Sequence, residues 1–441
     1  MRRIGILKVL LCVSVGVVSV FSAKADDNGA YSGYAPYSIY GVGDLFNGGS
    51  AYNQTMGGVG IASRNNRFIN SLNPAAVTAR DSLAFMSDFS VYQNNKLFKQ
   101  GSARSANNVF NINDFIISFP LFPKTAMMIG ITPYSSTGYN FNHYETNKEV
   151  LGTIGNVNHG YAGQGSMYQI FAAGGINLFK NLNLGVEYIH YIGNLERSYT
   201  QTMSDAAALG VTKTSEMILS ANTAKLGLQY EQKFSNKFRM VFGATYKFDA
   251  RLNGYVNNSI TSGKATISSS VDTLANYSTP LKLGNEIGVG VAMVYNRKFR
   301  AEFDYTLTDW SNSGFESQNG FSVNGAGGAP IFSSSRGESF RVGVEYIPRP
   351  NDVRYYKNII AYRAGAYYTK DYYRVNGQRV YARGITLGAT LPVFQWYNGI
   401  TLGVDFGQRG SLQNNLVRET YVNFSIGINL FDIWFQQYRY E

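Results

Sequence analysis

Between Glu286 and Thr308 the chain alternates strictly. Phe299, Ala301, Phe303, Tyr305 and Leu307 occupy odd positions, with Arg300, Glu302, Asp304 and Thr306 between them. A period of two puts these sets on opposite faces of a β-strand. The run before it behaves the same way: Ile287, Val289, Val291, Met293 and Tyr295 alternate with Gly288, Gly290 and Ala292. Only Asn296-Arg297 separates the two, a hairpin-length connection. Each run is about a dozen residues, longer than the ~5–6 of an ordinary strand. A tilted membrane-crossing strand needs ~9–11. Taken alone, this hairpin fits a long soluble sandwich as well as a membrane barrel.

The rest of the chain decides between them. About fourteen such runs follow one another, from one near residues 83–92 to one near 419–429. Phe238, Met240, Phe242, Ala244 and Tyr246 alternate with Arg239, Gly243, Thr245 and Lys247; Val422, Phe424, Ile426 and Ile428 alternate with Asn423, Ser425 and Gly427. Short connections (121–123, 179–181, 235–237, 296–297) alternate with long polar ones (135–165, 194–221, 251–282, 310–339). That asymmetry is the mark of an outer-membrane barrel, with short periplasmic turns and long outer loops. Inside lipid every backbone N–H and C=O needs a partner, so the sheet must close. Tyr295, Trp310, Tyr346 and Trp434, near the ends of runs, are candidates for interfacial aromatic girdles.

The first residues differ. Arg2, Arg3 and Lys8 precede an apolar run from Val9 to Phe21, and Ala23-Lys24-Ala25 fits a cleavage site, so 1–25 reads as a secretory signal. The single cysteine, Cys12, lies within it, which leaves the mature chain neither a disulfide framework nor a thiol catalyst. Cleavage removes four cations and no acid, leaving 35 basic against 28 acidic residues, a net +7. No run of like charge stands out, so a nucleic-acid partner is not expected. Residues 26–80 are rich in Gly, Asn, Ser and Tyr and show little alternation. Ile61, Phe68, Ile69 and Leu72 give them something to bury, so they read as a compact plug ahead of a barrel spanning 81–441.

Within the plug stand Met56-Gly57-Gly58-Val59-Gly60 and Asn73-Pro74-Ala75; further on come Asp304, Trp310-Ser311, Arg341-Val342-Gly343-Val344-Glu345-Tyr346 and Tyr362-Arg363-Ala364-Gly365. In these the chain resembles the FadL/TodX-like family of outer-membrane proteins. The resemblance implies an all-β, transmembrane antiparallel barrel of about fourteen strands with an N-terminal luminal hatch, in the outer membrane of a Gram-negative bacterium. It also implies passive uptake of small hydrophobic molecules such as long-chain fatty acids, with outer-membrane lipid around the barrel and hydrophobic cargo as a partner. Other barrels with a similar Gly-Gly and Asn-Pro-Ala segment serve type IX secretion, so a non-transporting secretion or assembly subunit with protein partners is the alternative. Gly57, Gly58, Gly60, Asn73 and Pro74 are the hatch candidates.

Catalysis finds little support. His143, His159 and His190 are far apart in sequence, the first two in an expected outer loop, and no metal-ligand spacing occurs. No cofactor, metal or catalytic residue is expected. Gly288-Val289-Gly290 lies inside an alternating strand, where glycine leaves room on the lumen face. Arg239, Lys247, Asp249, Arg300, Glu302 and Asp304 are expected to face the lumen. Unpaired charge in a dry interior is costly, so these groups should pair, meet water or hold the hatch.

Overall fold

A computed structural model describes residues 33–433, apart from 82, 205–208, 264, 275–279, 319–320, 324–330, 395–397 and 415. The expected signal at 1–25, Cys12 and Trp434 lie outside the described residues. Fourteen antiparallel strands form a closed barrel: β1 (Ala84–Gln100), β2 (Ala103–Pro120), β3 (Thr125–Tyr144), β4 (Val157–Asn177), β5 (Leu182–Met203), β6 (Val211–Lys233), β7 (Phe238–Lys247, continued by Ala250–Ser262), β8 (Asn285–Tyr295), β9 (Phe299–Asp309), β10 (Arg336–Tyr346), β11 (Ala361–Val375), β12 (Gln378–Phe394), β13 (Asn398–Arg409) and β14 (Arg418–Ile433). β14 pairs with β1 from Arg418↔Lys99 to Ile433↔Ala84, which closes the ring. Among the described residues no helix is long and apolar enough to cross a membrane; this chain crosses with strands.

The alternation sets the faces as expected. Phe299 and Phe303 are 43% and 49% exposed on the lipid side, whereas Arg300, Glu302 and Asp304 are buried inside. The β8–β9 hairpin turns at Asn296 and Arg297, both at positive φ, the conformation of a tight hairpin turn. Tyr295, Phe299, Tyr346 and Tyr362 are cross-strand neighbours at the periplasmic ends of β8 to β11 and form part of a girdle. Trp310 does not join one: it is buried against Tyr372, ring centroids 4.4 Å apart, because the chain turns into the lumen after Asp309.

Two further expectations need correction. The strands are much longer than the membrane requires: β3 to β6 have 20 to 23 residues each. Most of 135–165 and 194–221 is therefore wall. Above the lipid the outward face meets water while the inward face packs on the lumen core through Met167, Leu195, Met217 and Leu219, so the lipid-facing apolar half of the alternation fades and the strand reads as loop. Second, Asp249 is 53% exposed and bound to Lys282 at 3.1 Å. β6 Lys225 faces Lys247, but Ala221 faces Leu252, so β7 carries one extra residue between them. That bulge swaps inward and outward parity just where Asp249 lies.

Residues 33–80 lie within the ring. Gly175, Gly185, Gly227, Gly243, Gly288, Gly343, Gly365, Gly388, Gly403 and Gly427 come from β4 to β8 and β10 to β14; a Cβ on any of them would lie within 2.7 Å of an atom of residues 51–77. Many are register partners: Gly175 with Gly185, Gly185 with Gly227, Gly343 with Gly365, Gly388 with Gly403. The wall is thus stripped of side chains along one level, and the luminal segment occupies the space. Gly365→Val should displace that segment, because the new Cβ would meet the Gly57 nitrogen at 2.2 Å, an atom of the main chain. Limited proteolysis should then cut within 50–80, while Gly174→Val, at a site with nothing within 4 Å, should leave the wild-type pattern.

Candidate functional site

The luminal segment is short of regular structure, so its backbone groups need partners from elsewhere. The wall supplies them. Asp304 Oδ2 accepts from the Gly60 and Ile61 N–H groups at 2.6 and 2.9 Å. The Gly57 N–H donates to Thr386 Oγ1 at 2.8 Å, and Arg341 Nη1 donates to the Gly58 carbonyl at 3.1 Å. Gly57 and Gly58 have positive φ, so the turn needs them on conformational grounds as well. Asn73 donates to the Ile61 carbonyl at 2.8 Å and accepts from the Ala75 N–H, capping a 3-10 turn that opens on Pro74. All five hatch candidates therefore sit where the segment meets itself or the wall.

Of the expected luminal charges, Arg300, Glu302 and Asp304 converge on this segment. Arg300 reaches Glu302 at 3.1 Å and Glu345 at 3.8 Å, and donates to Ser63 Oγ and the Arg64 carbonyl. Arg363 reaches Glu345 at 2.8 Å and lies 4.3 Å above the Tyr52 ring, itself stacked on Phe68. Burial is the largest cause raising the Tyr52 phenol to about 12, with Arg300 and Arg363 pulling it down and Glu345 and Glu302 raising it. Arg239 pairs with Glu231 near the periplasmic rim, and Lys247 pairs with Glu286 farther up.

Above the segment is a cavity of about 430 Å³. Glu187, Lys225, Lys247 and Glu286 line one side; Asp44, Lys96, Asp371, Arg409 and Glu419 line another, with Phe46, Ile61, Leu72 and Phe171 among the apolar residues. Arg409 holds Asp44 and Asp371, each at 2.7 Å. Burial works against the charged form of Asp44, yet Arg409 and Lys96 keep its carboxyl below the usual range. Sequence reading did not name Glu187, Lys225, Glu286 or Arg409 as luminal charges, and took Arg341 and Glu345 only as part of a resemblance motif. Their signal was present: each is a charge on the inward parity of a strand. Above the cavity the lumen fills again with Trp310, Phe315, Phe321, Phe332 and Tyr373, all buried.

The cavity also borders a break in the wall. β2 and β3 pair only from Pro120↔Ala126 to Phe115↔Ile131. Beyond that level β3 takes a different partner: Leu45 and Asp44 of the luminal segment pair with Ser135 and Ser136. The Phe46 N–H donates to the Tyr134 carbonyl, and the Ala35 N–H to Gly138. Asn113, Thr132, Pro133 and Tyr134, the residues at the parting of the strands, line the cavity.

Two of the three histidines are placed differently from expectation, while His190 lies in a strand as its alternation with Val186 and Tyr188 implies. His143 and His159 are register partners across β3 and β4, with rings 6.3 Å apart; what reads as loop is an extended hairpin. His190 sits on the outward face of β5 with a ring nitrogen 2.7 Å from Asn222 Oδ1. Among the described residues no group of three or more His, Cys, Asp or Glu is placed to hold a metal.

A family model described as BamG matches residues 6–441, nearly the whole chain. The chain belongs to the BamG family. Among curated proteins none matches it in sequence. Among solved structures this BamG-family barrel is similar to the Pseudomonas putida toluene transporter TodX, at 13% identity and a TM-score of 0.57, over 89% of this chain and 100% of that one. A Pseudomonas aeruginosa FadL homologue is similar at 10% identity and 0.56, over 88% and 99%. The Ralstonia pickettii toluene transporter TbuX follows at 13% and 0.54, over 87% and 98%. At such identities the likeness shows the fold alone, a FadL/TodX-like barrel; that fold in a BamG-family chain fits the outer membrane of a Gram-negative bacterium.

Asp304→Ala should loosen the luminal segment without opening the barrel. Two hydrogen bonds to a buried carboxylate are lost, a local cost of about 2–3 kcal/mol. Amide exchange at Gly60 and Ile61 should speed up about 30-fold or more, with protection in β5 and β6 unchanged.

Proposed function

We propose that this outer-membrane barrel is a passive channel for small hydrophobic and amphipathic molecules such as long-chain fatty acids, with residues 26–80 acting as its hatch. The observation that carries the reading is the cavity at the parting of β2 and β3. A strand pair that stops partway leaves a sideways exit into the bilayer, so cargo need not cross a polar periplasmic mouth. The luminal segment patches the β3 edge at Ser135 and Ser136 and also forms the floor of the cavity. A shift of that one segment would change both. The neighbours named as toluene transporters and as a FadL homologue support the same reading.

A second reading, a non-transporting secretion or assembly subunit, is favoured by one feature: the cavity lining is rich in charge, and the lumen is filled above and below it. Uptake measurements separate the two. Cells carrying the protein should take up a labelled long-chain fatty acid faster than cells lacking it. Bridging Ile112→Cys on β2 to Thr132→Cys on β3 with a reducible bifunctional thiol reagent should lower uptake to the level of cells lacking the protein, and reduction should restore it. Equal uptake in all three cases, with other outer-membrane proteins co-purifying in fixed ratio and no bound amphiphile, would establish the subunit reading instead.

A further inference from the structure

Four ionisable residues stand in register across adjacent strands on one side of the cavity. Glu187 of β5 faces Lys225 of β6, Lys225 faces Lys247 of β7, and Lys247 faces Glu286 of β8. All four line the cavity. The row is neutral, yet it closes at one end only. Lys247 and Glu286 form an ion pair at 3.5 Å. Glu187 and Lys225 form none within 4.0 Å among the described residues, and Glu187 Oε2 is buried without a hydrogen-bond partner. Glu187 is 3% exposed and Lys225 9%.

Leaving two opposite charges side by side, buried and unclosed, is costly unless something completes them. A hydrocarbon would displace water and satisfy neither. A fatty-acid carboxylate would satisfy Lys225 and face Glu187; a simple cation would do the reverse. We propose that this end of the cavity is a binding site for a zwitterionic head group, its ammonium on Glu187 and its anionic group on Lys225. Cross-strand neighbours stand about 4.5–5.5 Å apart at Cβ, which suits an ammonium and a sulfonate or phosphate joined by a short spacer. Phe171 and Ile189, both buried beside the row, supply an apolar flank for a chain. The volume, about 430 Å³, lies at the small end of the ~300–1,000 Å³ of ligand pockets, so one short-chain amphiphile fits.

The inference deepens the channel reading and rests on it for how the ligand arrives. The test uses the full-length protein in a non-ionic maltoside, with four ten-carbon probes measured by calorimetry: a sulfobetaine, decanoate, decyltrimethylammonium and decanol. The sulfobetaine should bind about ten-fold or more tighter than the others, the worth of one charge-assisted hydrogen bond. Lys225→Met and Glu187→Gln should each remove about that factor, and Lys225→Arg should retain it. Should the variants fail to fold, a diazirine-bearing sulfobetaine on the wild-type protein should label peptides containing Phe171, Ile189 or Lys225. Equal affinity for all four heads, or labelling confined to the outer face, overturns the inference. If decanol binds as well as the sulfobetaine while uptake still depends on the β2–β3 parting, the inference falls and the channel stands. If the sulfobetaine binds selectively but bridging that parting changes nothing, the channel falls and the site stands.

Discussion

Inside a barrel of fourteen strands, every inward side chain competes with whatever else fills the lumen. Here ten strands present hydrogen atoms instead of side chains along one level. The luminal segment can therefore approach the wall to main-chain contact, and its own N–H and C=O groups come within reach of Asp304, Thr386 and Arg341. Glycine in a strand weakens it and packs nothing by itself. Ten of them on one level make physical sense because another part of the chain fills the space. The layers above follow from this placement. The segment is the floor of the charged cavity, and its N-terminal end, Pro36 to Leu45, supplies Tyr37 and Tyr40 to the apolar mass around Phe332 and Tyr373.

Much of this architecture can be read from residue order. Strand number, the lipid-facing side of β8 and β9, and the inward aim of Arg300, Glu302 and Asp304 all follow from a period of two. So does the reading of Gly288 and Gly290 as room on the lumen face, since a Cβ on either would crowd Ile61. Three things were not legible, each for a physical reason. The outer halves of β3 to β6 carry no continuous apolar stripe on the outward face, because no lipid touches them; their apolar residues, such as Leu195, Met217 and Leu219, point into the lumen core instead. A single inserted residue in β7 turned Asp249 outward, and no pattern of residue types announces an insertion. The Glu187–Lys225–Lys247–Glu286 row needs the register of four strands, which strand prediction leaves open. The individual charges were visible; their adjacency was not.

The interior combines features that pull toward different uses. The break between β2 and β3 belongs with sideways exit into lipid. The charged lining belongs with a head group, or with a wet, salt-bridged filler. A site for amphiphiles accommodates both: the chain would lie along Phe171 and Ile189 and the head among the charges. The filled layers above and below then act as seals, so that what enters does not carry water or ions straight through.

The seal is the most direct test. In a planar bilayer, with equal salt on both sides, the wild-type barrel should pass no steady ohmic current, because the luminal segment and the Trp310–Phe332 core together block the axis. A stable conductance of the size of an open porin, present without any substitution and proportional to salt, would mean that the segment does not occupy the glycine-lined level in the membrane. The cavity would then have no floor, and the exit and the head-group site would be lost with it.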